Sequence, residues 1–351
     1  MSLLRKKSVL PELVVNFLTS QPLSISRNAR GVMVLPLKVI EGAKGEMFNV
    51  SYEKNELKEQ SKTLATKEQL LLDLALENCN QVIVYSLGND EARNKREGLQ
   101  ATDIDNMLNA LKNVFFDTLC FSYELEGADE KIIAFIKKER EYSSIQAVLS
   151  VSTAPDHEGI VNVGNGLILN DNTALTAKET TVIVASLLAQ ARINESLTNK
   201  RISRAIDVNP RMTKEEMETA VTNGKFIFTV NRNQVVSVVI DINSLTTIDG
   251  KADFYKKNRV IRTLDGIKRD LTEIFNSNIK GKESNNMNGL SKLKSMFISY
   301  FRDLEKIEAI QDFNPDDVIV EQGKNKDEVN VSLSISTVDS IEKVYVDITL
   351  V

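Results

Sequence analysis

The sequence predicts an α/β chain, α+β overall: a central mixed sheet with crossover helices, then a C-terminal α+β domain, with extended arms at both termini. Three patterns lead there. Between Gln81 and Val151, β-branched apolar runs alternate with amphipathic helical runs, which implies parallel strands joined by right-handed crossovers. Val260, Ile261, Leu264, Ile267, Leu271, Ile274 and Phe275 recur at helical spacing and leave lysines and arginines on the opposite face. The last strands alternate strictly, with Val329, Val331, Leu333 and Ile335 on one side, then Val344, Val346, Ile348 and Leu350.

Taken in order, residues 1–22 read as an arm: a basic lead, then Leu13, Val14, Val15 and Phe17 in a short extended segment before Pro22. Arg30–Ile40 is nearly all apolar and reads as a central strand. Thr66–Gln69 has the form of a capping box and opens a helix lined by Leu70, Leu71, Leu74 and Leu76. Strand Gln81–Leu87 follows, and the polar run Gly88–Gln100 marks a domain boundary. Helix Asp105–Val114, strand Asp117–Tyr123, helix Asp129–Tyr142 and strand Ile145–Val151 continue the alternation, and Ile160–Leu169 is a further apolar segment. Two helices then open on capping boxes, Thr176 with Glu179 and Thr213 with Glu216, the second ending at Gly224. Phe226–Val230 and Gln234–Asp241 form a hairpin across Asn231–Asn233. After the helix of Val260 to Phe275, apolar spacing from Leu290 to Ile307 gives a second long helix, and strands Asp317–Gln322, Glu328–Ser336 and Lys343–Val351 close the chain. The expected domains are 1–22, 23–96, 97–240, 241–338 and 339–351.

Composition is that of a globular protein: 351 residues, 42% hydrophobic and 26% charged, enough for more than one core. Its longest apolar runs, such as Val182–Ala191, fall well short of the roughly 20 residues that span a bilayer, so no membrane anchoring is expected. Pro11, Glu12 and Asn16 interrupt the apolar patch near the N-terminus, which argues for synthesis in the cytoplasm. Cys79 and Cys120 sit in apolar contexts without metal or redox spacing and read as reduced core residues. The net charge of −5 gives no electrostatic reason to expect nucleic acid. Its distribution is uneven: residues 1–30 hold five basic residues against Glu12, and residues 312–351 hold nine acids against three lysines.

No arrangement of chemistry-bearing residues stands out. The single histidine, His157, lies in the polar loop Ala154–Gly159, and one His with two distant Cys cannot complete a zinc site. Asp103/Asp105, Asp156/Glu158 and Asp316/Asp317 read as helix-start, loop and turn charges rather than acid pairs. Gly164–Asn165–Gly166 lacks the third glycine and the lysine of a phosphate loop and reads as a bulge or turn. No cofactor and no catalysis are expected. In the central stretch, Lys256, Lys257, Arg259 and Lys268 belong to a basic run that is either a solvated helix face or a docking face for an acidic protein surface.

Several segments resemble contractile tail sheath proteins of phages and phage-tail-like bacteriocins: DINSLTT (Asp241 to Thr247), KNRVIRTLD (Lys257 to Asp265), and Gly281, Lys282, Asn285 and Asn286. LPELVVNF followed by RGVMVLPL, and the run from Leu175 to Lys200 ending in NESLTNK, are similar to the same family. The resemblance implies a mechanical subunit of a particle made in a bacterial cytoplasm and released from the cell. It would stack as hexameric rings around a tail tube, contract, and drive the tube through a target envelope. It implies tube, baseplate and tail terminator proteins as partners besides the chain itself, and tail tube contacts for the basic face. It also implies that the arms, carrying Leu13, Val14, Val15, Phe17, Val344, Val346, Ile348 and Leu350, add strands to neighbouring copies. The alternatives are a nucleotide-binding α/β enzyme and a non-contractile tail or capsid component.

Overall fold

The computed structural model describes residues 31–88, 99–248, 250 and 252–349. The first arm, with Leu13, Val14, Val15 and Phe17, lies outside the described residues, as does Leu350. The described residues fall into two compact units: those from Gly31 to Ile261 together with those from Ser340 onward, and Arg262–Asp339.

The first unit is a three-layer α/β/α body. Its strands are β1 (Val32–Leu37), β2 (Met47–Ser51), β3 (Gln81–Ser86), β4 (Thr118–Cys120), β5 (Gln146–Leu149) and β6 (Ile160–Val163). Its first helices are α1 (Thr66–Leu76), α2 (Ala101–Leu111) and α3 (Ala128–Glu139). Beyond β6 come β7 (Gly166–Leu169), β8 (Ala174–Leu175), α4 (Ala177–Gln190), β9 (Ala205–Asn209), α5 (Lys214–Thr222), β10 (Lys225–Phe226), β11 (Phe228–Val230) and β12 (Val236–Val238). One seven-stranded sheet runs in the order β10-β6-β5-β4-β1-β3-β2, all neighbours parallel except β2 on β3. A sheet covered on both faces must be apolar on both, and successive residues obey this: Met33, Leu35 and Leu37 join the core with α1 and α4, while Val34 joins the core with α2 and α3.

Helix α4 is buried from Lys178 to Ala189. Its hydroxyls are satisfied within the body: Ser186 donates to the Ile183 carbonyl at 2.8 Å, and the Ala185 carbonyl accepts from Thr118 of β4 at 3.0 Å. Small residues here let helix and sheet approach closely. Cys79 and Cys120 are free, buried thiols, and burial pushes Cys79 up to about 11.

The second unit contains most of α6 (Asn258–Ile274), which begins in the first unit, followed by α7 (Met287–Lys306), β13 (Ile310–Gln311), β14 (Ile319–Gln322), β15 (Val329–Ser332) and β16 (Ser336–Thr337). The rings of Phe297, Tyr300 and Phe313 surround Phe301 at centroid distances of 6.2, 5.2 and 5.6 Å. The Tyr300 hydroxyl donates to Asp270 at 3.1 Å. Strands β14 and β15 make one antiparallel hairpin, β13 and β16 another short ladder.

Five expectations differ from what is seen. The run Gly88–Gln100 does not separate two sheets, because β3 before it and β4 after it both pair with β1. Thr66 is not a cap: the helix begins one residue earlier than a box requires, on Ala65, without a side-chain cap. Ile160–Leu169 divides at Gly164 and Asn165 into strands of two different sheets. A Cβ on Gly166 would lie 2.1 Å from the Leu175 carbonyl oxygen, so β7 and β8 require a glycine there. Residues 343–349 form no strand, since a strand exists only through a ladder partner and none of the described residues supplies one. Finally, α6 is not split into a packed and a solvated face in its first half: every residue from Val260 to Ile267 is buried, and Arg262 is 0% exposed.

Candidate assembly surfaces

Order reversal in the sheet, with β3 on one side of β1 and β4 on the other, creates the crevice where doubly wound proteins bind ligands. Here the chain fills it. The Tyr123 hydroxyl accepts from the Lys38 amide at 3.2 Å and donates to Glu68 at 3.4 Å. Burial raises the Tyr123 phenol well above its ordinary value, so it stays neutral. At the start of α4, Lys178 is buried against Asp129 at 2.7 Å, and Glu179 pairs with Lys67 while closing the box on Thr176. The helix N-termini that would cradle a phosphate already hold carboxylates of the chain itself. The candidate acid pairs are likewise engaged. Asp103 accepts from the Gln100 amide at 2.9 Å, and Asp105 pairs with Lys131 at 2.6 Å.

The segment Asp241–Thr247 is a polar clasp. Asp241, 1% exposed, accepts from the Leu197 amide at 3.0 Å and from the Asn258 side chain at 2.9 Å, and its carbonyl accepts from the Asn258 amide at 3.0 Å. Asn243 donates to the Tyr255 carbonyl at 2.7 Å, and Ser244 donates to the His157 carbonyl at 3.0 Å. Asp156, held at φ 51°, accepts from the amides of Thr246 at 2.7 Å and Thr247 at 2.9 Å. Burial alone would raise the Asp156 carboxyl, but these threonine bonds outweigh it and hold the group well below the usual carboxylate range. The clasp therefore binds the loop before β6, the segment after α4 and the start of α6 into one body.

Glu342 joins the same network: Thr198 donates to it at 2.9 Å, and Lys257 forms an ion pair with it. Past this point the chain is open to solvent, with Val344 at 73%, Tyr345 at 87%, Val346 at 70% and Ile348 at 80% exposure. Four large apolar side chains within five residues are thus left largely without cover, as at an interaction surface.

The second unit offers the complementary feature. Each strand of the β14–β15 hairpin has one edge paired and the other without a ladder partner among the described residues. Asn285 braces it, donating to the carbonyls of Lys326 and Glu328 at 2.9 Å each, and Gln322 donates back to the Asn285 carbonyl at 2.9 Å. Asn286 caps α7 by accepting from the amides of Asn288 and Gly289. These bonds assign jobs to the asparagines of the Gly281–Asn286 segment.

Of the basic candidates, Lys256 pairs with Asp253 at 3.0 Å, Lys257 is taken by Glu342, and Arg259 and Lys268 are half-buried. Glu342 and Thr198 escape sequence reading because their contact spans 144 positions, and only their residence in acidic and Ser-Leu-Thr stretches hinted at them.

Comparison with known proteins agrees with this geometry. Residues 97–244 match the phage tail sheath protein central domain, and residues 251–350 match the phage tail sheath C-terminal domain. The phage-like element PBSX protein XkdK of Bacillus subtilis is 32% identical over 260 residues, 70% of this chain and 55% of that protein. The chain thus spans about half the length of the curated relative it matches. The crystal structure of a sheath tail protein from Desulfitobacterium hafniense superposes with a TM-score of 0.80 at 27% identity, covering 95% of this chain and 99% of that one. The anti-feeding prophage helical sheath in its contracted state shares the fold, with a TM-score of 0.72 at 13% identity over 98% of this chain and 99% of that one.

Proposed function

The chain belongs to the phage tail sheath family, and from that premise we propose that it is a structural subunit of a contractile sheath, built of stacked hexameric rings around a tail tube. Two observations carry the reading together: an exposed apolar C-terminal segment, and hairpin edges in the second unit that have no ladder partner among the described residues. A two-stranded hairpin is marginal alone and gains from further strands, and strand addition supplies main-chain bonds plus alternating side-chain pockets. Residues Val344, Val346 and Ile348, with the first arm's Leu13, Val14, Val15 and Phe17, are the donated strands; the edges of β14 and β15 on neighbouring copies are the acceptors. No reaction is catalysed, and the work is mechanical: the clasped body moves as a unit while the arms hold neighbours through the rearrangement. Lys256 on the first unit and Lys268 on the second are the residues through which the subunit would touch an acidic tube surface. Baseplate and terminator proteins would cap the two ends of a particle released from a bacterial cell.

Negative-stain microscopy of the purified chain, alone and with its tube protein, tests this. Wide, striated hollow tubes are expected. Monodisperse subunits at every protein concentration, with and without tube protein, would overturn the reading.

A further inference from the structure

Among the described residues the chain passes from the first unit to the second at Ile261–Arg262 and returns at Asp339–Ser340. The first-unit ends of both crossings meet at one cluster. Lys257, four residues before the outgoing crossing, is ion-paired with Glu342, three residues after the returning one. Thr198 donates to Glu342 at 2.9 Å and accepts from the Asp241 amide at 2.9 Å, so the pair is wired to the clasp. Ser340 approaches the same carboxylate at 3.5 Å. The two side chains are only 21% and 14% exposed, whereas the residues immediately beyond are open.

We propose that Glu342, held by Lys257 and Thr198, is a latch that fastens the returning chain to the first unit and sets the point from which the C-terminal segment becomes free for donation. Without it, the returning chain would lose its ion pair with Lys257 and its hydrogen bond from Thr198, and the root of the arm would move more freely. With it, the arm begins at Lys343. Glu342 and Lys257 act here as positioning residues. The latch is a property of the single chain; only the use of the freed segment rests on the sheath reading.

Trypsin reports the latch directly, because Lys343 is the residue next to it. On the full chain under native conditions, release of the peptide after Lys343, followed by mass spectrometry, should be about three- to five-fold faster in Lys257→Met and in Thr198→Val than in wild type, the range set by partly exposed ion pairs and single hydrogen bonds. The exchanged pair Lys257→Glu with Glu342→Lys should return arm mobility, read by hydrogen exchange over 338–349, to within about two-fold of wild type. Should Lys257→Met not fold, the wild-type chain still decides: raising salt from about 0.05 to 0.5 M should speed its cleavage, by screening the pair. Equal cleavage in wild type and Lys257→Met, or a salt-insensitive wild type, overturns the latch. Wild-type tubes seen alongside such equality would leave the sheath reading standing, whereas faster Lys257→Met cleavage without tubes from the wild type would reverse that outcome.

Discussion

Replacing Asp241 by alanine tests whether the Asp241–Thr247 segment is a structural clasp. In the folded chain its carboxylate serves the Leu197 amide and the Asn258 side chain, and at 1% exposure no solvent is there to replace it. Truncation strands two buried donors, each costing about 1–3 kcal/mol. Part of that loss is recovered if water enters the vacated space. The expected destabilisation is about 4 kcal/mol, which for a unit of this size lowers Tm by about 8–16 °C. Asp241→Asn keeps the volume and one acceptor but turns an amide donor toward one of the two donors, so it should cost about 1–3 kcal/mol. Urea unfolding and scanning calorimetry on purified protein measure both. A loss below about 1 kcal/mol for Asp241→Ala, or a loss no greater than that of Asp241→Asn, would refute the reasoning, because the buried donors would then have found other partners.

Other predictions follow from the surfaces and charges. Val346→Pro removes an amide that a donated strand needs; since Val346 is 70% exposed, the subunit's Tm should move by less than about 1 °C while tube yield falls at least tenfold, as counted by microscopy. Changing Lys256 and Lys268 together to Gln should weaken co-sedimentation with the tube protein several-fold at low salt, with little effect at about 0.5 M salt. Acidification should destabilise the body: Asp156 and Glu179 both titrate below their ordinary values when folded, in each case against a burial effect that alone would raise them. Their contribution is present above the unfolded carboxylate pKa near 4 and disappears as pH falls through the lower folded value. Tm measured from about pH 6 to pH 3 should therefore fall, and Asp156→Asn should fall less over that interval while starting lower.

The alternation that foretold parallel strands is carried by local composition, and so were the two threonine boxes at Thr176 and Thr213, which form as expected. What the sequence could not convey depends on partners far along the chain. The run Gly88–Gln100 has the composition of a linker, yet β1 sits between the strands before and after it, so sheet order decides unity and linker polarity does not. The helix from Asn258 shows amphipathic spacing, but Arg262, Asp265 and Asp270 are buried with it; spacing tells which residues share a face, and burial depends on how many faces are covered. Lys343 to Ile348 show strand alternation without a strand, because alternation is local whereas a strand needs a ladder partner, and the described residues supply none. Asp241 and Asn285 were visible only as pieces of similar segments; their hydrogen bonds supply the physical reason for those residue types.

In the proposed assembly, donor and acceptor are different surfaces of one chain, and that asymmetry would shape the polymer. A contact in which the same patch meets itself closes on two subunits, whereas a contact between an arm and a distant edge repeats, forming rings where rotation closes and helices where it does not. Such a polymer has two unlike ends. One would present the C-terminal arm, whose described apolar side chains are exposed; the other would present hairpin edges that have no third strand among the described residues. Both are aggregation hazards in water, and no single cap can satisfy them, since one end needs an acceptor edge and the other a donated strand. On the proposed strand exchange, two different terminating partners would be needed, one offering an edge to the arms and one offering a strand to the hairpins.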